Sequence, residues 1–342
     1  MVSAAYSGGH CPSSSNELRL AGRPSLRSLR QVVHCQTSKQ EEPSPLQTRQ
    51  ELLVAKSRRQ LLVSGAATAA CWCCRQAVAG AAEEEETSSG WAYDRLADWP
   101  RTCQPSSLQS PIDIPLHSQP QPRDPSTMRN VRFDYKDGLG PVNVVNPGHG
   151  TMHVKIPPGS RCYVGQQELE LQQYHFHAPS EHAVNGQRVA MEMHLVHRDV
   201  RSGGLAVLAV LLEAGRVSKA HPALQFALEQ AHLRDGEVSA TIQSPQNLSL
   251  TSLIPGSSPD SAAAAGSIAQ TRAPASILHY TGSLTTPPCS ELVCWYVFMQ
   301  RTAIADWQVE RFQQFIQQTT GMRSNARALQ PSDDRLLDWL KY

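Results

Sequence analysis

Gln172-Gln173-Tyr174-His175-Phe176-His177 and Ala190-Met191-Glu192-Met193-His194-Leu195-Val196-His197 are the two stretches whose reading decides the fold. Each is a short apolar run of strand character, and a turn-rich segment containing Asn185-Gly186 separates them. They read as two strands, paired as antiparallel neighbours. Residues two apart in a strand face the same way, so His175 and His177 present two imidazoles side by side. His194 on the partner strand completes a set of three. Three imidazoles with a fourth position open describe a catalytic zinc site, whereas structural sites close with four protein ligands. Gln173 and Glu192 stand two residues before His175 and His194, on the same faces, where each can accept the second ring N–H. Spacing alone leaves open that these histidines are ordinary core residues.

Outward from this pair, similar runs recur at 142–145, 152–156, 205–212 and 292–299, separated by turn signals such as Asn146-Pro147-Gly148 and Pro157-Pro158-Gly159. Helical periodicity appears at 219–231 and 304–318. The fold class is therefore mostly β (α+β): one domain on a large twisted, mainly antiparallel sheet with a few short peripheral helices. Residues 255–275 are low-complexity and read as a surface insertion.

The charge is unevenly placed. Residues 1–82 carry ten Lys/Arg and four Asp/Glu; with the whole chain at +1, the remainder stands at −5. A body of that sign lacks the footprint of a nucleic-acid binder, and a small soluble substrate is expected instead. The first 40 residues contain one acidic residue, Glu17, among five basic ones and many serines, the composition of an organellar transit peptide. Ser57-Arg58-Arg59-Gln60 then precedes an apolar run and the small residues Ala77-Val78-Ala79-Gly80-Ala81-Ala82, the pattern of a twin-arginine export signal. The apolar run, Leu61 to Cys74, is shorter than the ~20 residues that span a bilayer as a helix. Hence residues 1–56 read as a chloroplast-type transit peptide and 57–82 as a lumen-targeting signal, with simple secretion or a periplasmic address as the alternative. Five of nine cysteines lie in this leader. Cys103, Cys162, Cys289 and Cys294 remain, and their spacing does not decide their pairing.

Three blocks carry a family resemblance: Ser110-Pro111-Ile112-Asp113-Ile114; Tyr174-His175-Phe176-His177 through Ser180-Glu181-His182 to Glu192-Met193-His194-Leu195-Val196-His197; and Gly282-Ser283-Leu284-Thr285-Thr286-Pro287-Pro288. Together they resemble α-class carbonic anhydrase over about residues 91–341, in the thylakoid-lumen type of algae. The resemblance implies an enzyme domain over 83–342 that hydrates CO2 reversibly to bicarbonate and a proton, by attack of a zinc-bound hydroxide. It places Zn2+ on His175, His177 and His194. It implies that Thr285 takes the hydroxide's proton in a hydrogen bond while donating its own to Glu181, and that the Thr285 N–H binds substrate oxygen. Thr286 would line the bicarbonate side, and Val196, Val207, Leu284 and Trp295 the apolar wall for CO2. His149 matches the family's proton shuttle and Tyr93 a support of the water chain, while Pro147 departs from a position that is often polar. Asn325 would hold His177 through its backbone oxygen, with Arg327 a late structural match. Cys103 and Cys289 match the disulfide of exported members. His182 and His197 match supporting positions rather than ligands, and His153, Cys162 and Cys294 receive no role. The competing expectation is a catalytically inactive relative serving as a binding protein; a zinc hydrolase lacks its His-Glu-x-x-His helix here, and a cysteine-based redox sensor loses most of its thiols with the leader. Oligomeric state, peripheral contact with a thylakoid membrane or photosystem, and reaction direction are left open.

Overall fold

The computed structural model describes residues 91–341, apart from 117–130, 256–275 and the positions 94, 96, 98, 104–105, 137, 247, 252–253 and 333–334. The leader read over 1–82 and nearly all of the 255–275 insertion thus lie outside the described residues.

Among the described residues, thirteen strands follow in chain order. They are β1 (Asp113–Ile114), β2 (Val131–Asp134), β3 (Pro141–Val145), β4 (His153–Lys155), β5 (Arg161–Val164), β6 (Gln167–His177), β7 (Ala183–Val184), β8 (Met191–Asp199), β9 (Leu205–Gly215), β10 (Ile242–Gln243), β11 (Ser276–Ser283), β12 (Glu291–Ala305) and β13 (Asp338–Lys341). Helix α1 spans Pro222–Glu229 and α2 spans Asp306–Thr320. One 11-stranded sheet runs β10-β3-β4-β6-β8-β9-β12-β11-β13, with β5 also on β6 and β2 beyond it; β1 and β7 form a separate parallel pair. Every neighbour in the large sheet is antiparallel except β9 and β12, which run parallel.

Alternation along β6, β8 and β9 sorts side chains to two faces. Tyr174 and Phe176, Met191, Met193 and Leu195, and Leu208, Val210 and Leu212 enter the larger core, where Leu224 of α1 and Phe312 of α2 also pack. Val207, Ala209 and Leu211 face the second core with Trp295 and Val297. β9 is buried on both faces, which is why 205–212 is an unbroken apolar run rather than an alternating one. His175, His177 and His194 share the second face, away from the helices.

The helices start where their chemistry dictates. His221 caps α1 by accepting the Leu224 N–H at its Nδ1, and Pro222 occupies the first turn where its missing N–H costs nothing. Thus α1 is shorter than the periodic stretch 219–231. Helix α2 ends at Gly321, whose φ of 75° supplies the left-handed cap. Seven of these strands have no counterpart among the runs read from the sequence. β1, β7 and β10 are two residues long, β2 and β5 are four residues each with Arg132, Asp134 and Arg161 interrupting any apolar run, and β11 follows directly on the low-complexity stretch. β13 is a four-residue run at the chain's end that pairs with β11.

Candidate metal centre

The register of β6 on β8 puts His175 directly opposite His194 and His177 opposite Glu192. A bulge between Leu171 and Gln173 lies upstream, so pairing through the histidines is uninterrupted. The three rings converge, with centroids 5.1 Å apart for His175–His177 and His175–His194 and 4.6 Å for His177–His194.

Each ring has one nitrogen committed to an acceptor. His175 Nδ1 donates to Gln173 Oε1 at 2.9 Å, His177 Nδ1 to the Asn325 carbonyl at 2.7 Å and His194 Nε2 to Glu192 Oε1 at 2.8 Å. A carbonyl or carboxylate oxygen only accepts, so the proton of each neutral imidazole belongs on that nitrogen. The lone pairs then fall on His175 Nε2, His177 Nε2 and His194 Nδ1. One ligand atom from each ring lies within 4.8 Å of the others, and His177 Nε2 is buried without a hydrogen-bond partner. Burial pushes the His175 and His177 pKa values below the ordinary imidazole range, so both rings are neutral, as ligands must be. Three aimed lone pairs with their tautomers set from behind fit a zinc ion.

Glu181 is fully buried, accepts the Arg327 backbone N–H at Oε1 (2.9 Å), and holds Oε2 3.7 Å from His177 Nε2. Oε2 has no hydrogen-bond partner, so the hydrogen bond expected from the Thr285 hydroxyl is not formed; that oxygen is turned toward the histidine instead. Thr285 is buried on the loop that follows β11, and Thr286 accepts the Cys289 N–H at 2.8 Å to close the turn. Trp295 and Val207 belong to one apolar cluster with Val196 and Leu284 packed against it, and the Trp295 ring lies 5.0 Å from His194. The four residues of the expected apolar wall thus share one cluster, and Trp295 brings that cluster against the triad.

A family profile described as eukaryotic-type carbonic anhydrase matches residues 88–339. The chain belongs to this α family of carbonic anhydrases. A carbonic anhydrase of Nostoc sp. is 33% identical over 241 residues, covering 69% of this chain and 76% of that protein. Alpha carbonic anhydrase 7 of Arabidopsis thaliana is 30% identical over 246 residues, covering 69% and 75%. Among solved structures, carbonic anhydrase Cah3 from Chlamydomonas reinhardtii, in complex with acetazolamide, superimposes with a TM-score of 0.60 at 40% identity, over 70% of this chain and 94% of that one.

Around this carbonic anhydrase centre the remaining candidates fall into two groups. His149 stacks on Trp91 with centroids 3.8 Å apart, and Tyr93 and Trp99 complete an aromatic cluster with Trp91. His149 is only 7% exposed, so it sits behind that cluster rather than on an open loop. Cys103 and Cys289 form a disulfide with Cα atoms 4.9 Å apart, while Cys162 and Cys294 are buried thiols. His197 does not support the triad. Its odd offset from His194 turns it to the other face, where it meets the Tyr135 hydroxyl at 2.7 Å.

Two residues at the site received no role from the sequence. His153 on β4 reaches the His175 ring at 4.8 Å, and burial, with Lys155, His177 and His149 nearby, lowers its pKa to about 3. Its signal is faint, one histidine on a three-residue strand. Tyr280 lies behind the triad and contacts His182, on a strand that the neighbouring low-complexity stretch concealed.

Proposed function

We propose that this carbonic anhydrase works at zinc held by His175, His177 and His194, with Glu181 and Thr285 orienting the nucleophile and His149 clearing the proton. The observation that carries the reading is the set of three lone pairs left over when Gln173, Asn325 and Glu192 have taken the other ring nitrogens. Zinc bound there supplies a Lewis acid that makes a hydroxide nucleophile available near neutral pH. The protein's part is placement. Glu181 Oε2 is the acceptor left for the Thr285 hydroxyl, and a hydroxyl that donates to a carboxylate must accept from the nucleophile, which turns the nucleophile's remaining lone pair toward substrate. The Thr285 N–H binds substrate oxygen, and Thr286 lines the bicarbonate side. Val196, Val207, Leu284 and Trp295 offer CO2 a dry wall without hydrogen-bonding demands. Tyr93 supports the water chain leading to His149.

His149 is the proton carrier in this reading because it stands at the family's shuttle position and an imidazole can both take up and release a proton. Its proximity to His153, which lies against His175, supports this reading. Stopped-flow CO2 hydration is expected to show rapid turnover in zinc-loaded protein. For His149→Ala it should show roughly 10-fold slower turnover or more in weak buffer, recovered in part by added imidazole. Equal turnover of both proteins in weak buffer would remove His149 from this role.

We place the enzyme in the thylakoid lumen, with residues 1–56 and 57–82 as successive addresses and 83–342 as the working domain. An acid-poor basic head, a twin arginine and a disulfide that belongs in an oxidising compartment support this. No helix among the described residues is long and apolar enough to cross a membrane. Residues 1–82 fused to a fluorescent reporter should deliver it to the lumen; a secreted or cytosolic signal overturns the address.

A further inference from the structure

Behind the zinc-facing histidines a line of buried polar groups runs on from Glu192 to residues that the proposed reaction does not use. Glu192 Oε1 receives His194 Nε2 at 2.8 Å and also His182 Nδ1 at 2.7 Å, while Oε2 accepts the His182 backbone N–H at 2.8 Å. His182 Nε2 meets the Tyr280 hydroxyl at 2.6 Å, and that hydroxyl lies 3.0 Å from Ser110 Oγ. Ser110 Oγ in turn accepts the Ser283 N–H at 3.1 Å, and the Ser110 N–H donates to Ser283 Oγ at 2.9 Å. Every residue in this line is at most 1% exposed.

His182, Glu192 and His194 also cluster closely enough to suggest a metal site of their own. The distances exclude it. Ligand atoms around tetrahedral zinc at ~2.0–2.1 Å must stand about 3.3 Å apart, whereas Glu192 Oε1 is 2.7 and 2.8 Å from the two histidine nitrogens. Those are hydrogen-bond lengths, and a proton lies in each.

We propose that Tyr280 and His182 are positioning residues that act through Glu192 to set how tightly His194 holds zinc. The inference rests on His194 being a zinc ligand. A Glu192 held by His194 alone could rotate its carboxylate away from the ring. His182 pins it at both oxygens, through a side chain and a backbone N–H. Tyr280 fixes the ring of His182 from the opposite side, so that its Nδ1 stays on Glu192. The anchor is secured by Gly282, where a Cβ would collide with Ser110 Oγ and crowd the rings of Tyr280 and Trp295. The line ends at Ser283, two residues before Thr285, so the two halves of the site share one scaffold.

Zinc affinity measured by chelator competition on the intact protein tests this, in wild type, Tyr280→Phe, Glu192→Gln and the double variant. Partners standing directly behind a metal ligand change affinity about 10- to 100-fold. Tyr280→Phe, one step further back, should raise the zinc Kd about 3- to 10-fold while the zinc-free melting temperature stays within a few degrees. In the Glu192→Gln background the same change should have little further effect, because the route to His194 is already cut. An unchanged Kd in Tyr280→Phe overturns the proposal, as does an equal loss in both backgrounds. His182→Gln, which retains a donor for Glu192 and an acceptor for Tyr280, should bind more tightly than His182→Ala; equal affinities count against it, and this pair decides if Tyr280→Phe fails to fold. A wild-type protein without zinc would overturn the triad itself, an outcome distinct from zinc bound with an affinity that ignores Tyr280.

Discussion

His194→Ala should yield a folded protein holding far less than one zinc per chain, with CO2 hydration reduced at least 100-fold. The size follows from the donor set. Four-ligand structural zinc sites are worth about 10–16 kcal/mol in all, so each protein ligand accounts for about 3 kcal/mol, or a factor above one hundred in affinity. Losing His194 also leaves Glu192 with one fewer donor, although His182 still holds it through two hydrogen bonds. The fold survives because β8 is anchored on both sides by backbone pairing with β6 and β9, which does not involve the imidazole. Zinc content by elemental analysis and hydration by stopped flow are the two measurements. A variant carrying stoichiometric zinc and hydrating CO2 at the wild-type rate would show that the metal sits elsewhere.

The sheet and the triad were legible in the sequence for the same reason. A strand repeats every two residues, so His175 with His177, and Glu192 with His194, declare both a strand and a face, and the structure seats them opposite one another. Gln173 and Glu192 were legible by the same offset, and both reach their histidines. Asn325 was not readable in that way. It lies 148 residues from His177, and no local pattern announces a contact at that range; only the resemblance pointed to it. His197 was assigned a supporting position only through the resemblance, and because three residues along a strand reverse the face, it meets Tyr135 rather than the triad. The Thr285–Glu181 hydrogen bond depends on side-chain orientation, which residue identity does not encode; here the backbone of Arg327 claims one carboxylate oxygen and the other turns to His177. Tyr280 was hidden by its context. The run from Ser276 is strand-like, but it emerges from a low-complexity stretch, and its meaning depends on Ser110, 170 residues away.

Replacing Cys103 and Cys289 together by serine should lower the melting temperature by about 10–20 °C and reduce activity while zinc remains bound. The disulfide closes a loop with a sequence separation of 186, and chain-entropy reasoning puts its effect on the unfolded state at about 5 kcal/mol. For a domain of this size each kcal/mol moves the midpoint by about 2–4 °C. The effect on activity comes from where the two ends lie. The Cys103 carbonyl accepts from the Arg327 guanidinium at 3.4 Å, and the Arg327 backbone N–H holds Glu181. Cys289 closes the turn after Thr285 through the Thr286 carbonyl, and its own carbonyl accepts from Gln109 Nε2 at 3.2 Å. Each end therefore leads to one of the two residues proposed to orient the nucleophile, whereas neither touches the three histidines. Calorimetry of oxidised, reduced and serine forms, with zinc content and kcat/KM for each, separates the two effects. A melting point within 3 °C of wild type would mean that packing of Trp91 and Trp99 against Cys289, with the Arg327 guanidinium over the Trp99 ring at 5.2 Å, holds this segment without the covalent link. Reduced activity with full zinc occupancy would instead locate the disulfide's contribution in the Glu181 and Thr285 half of the site.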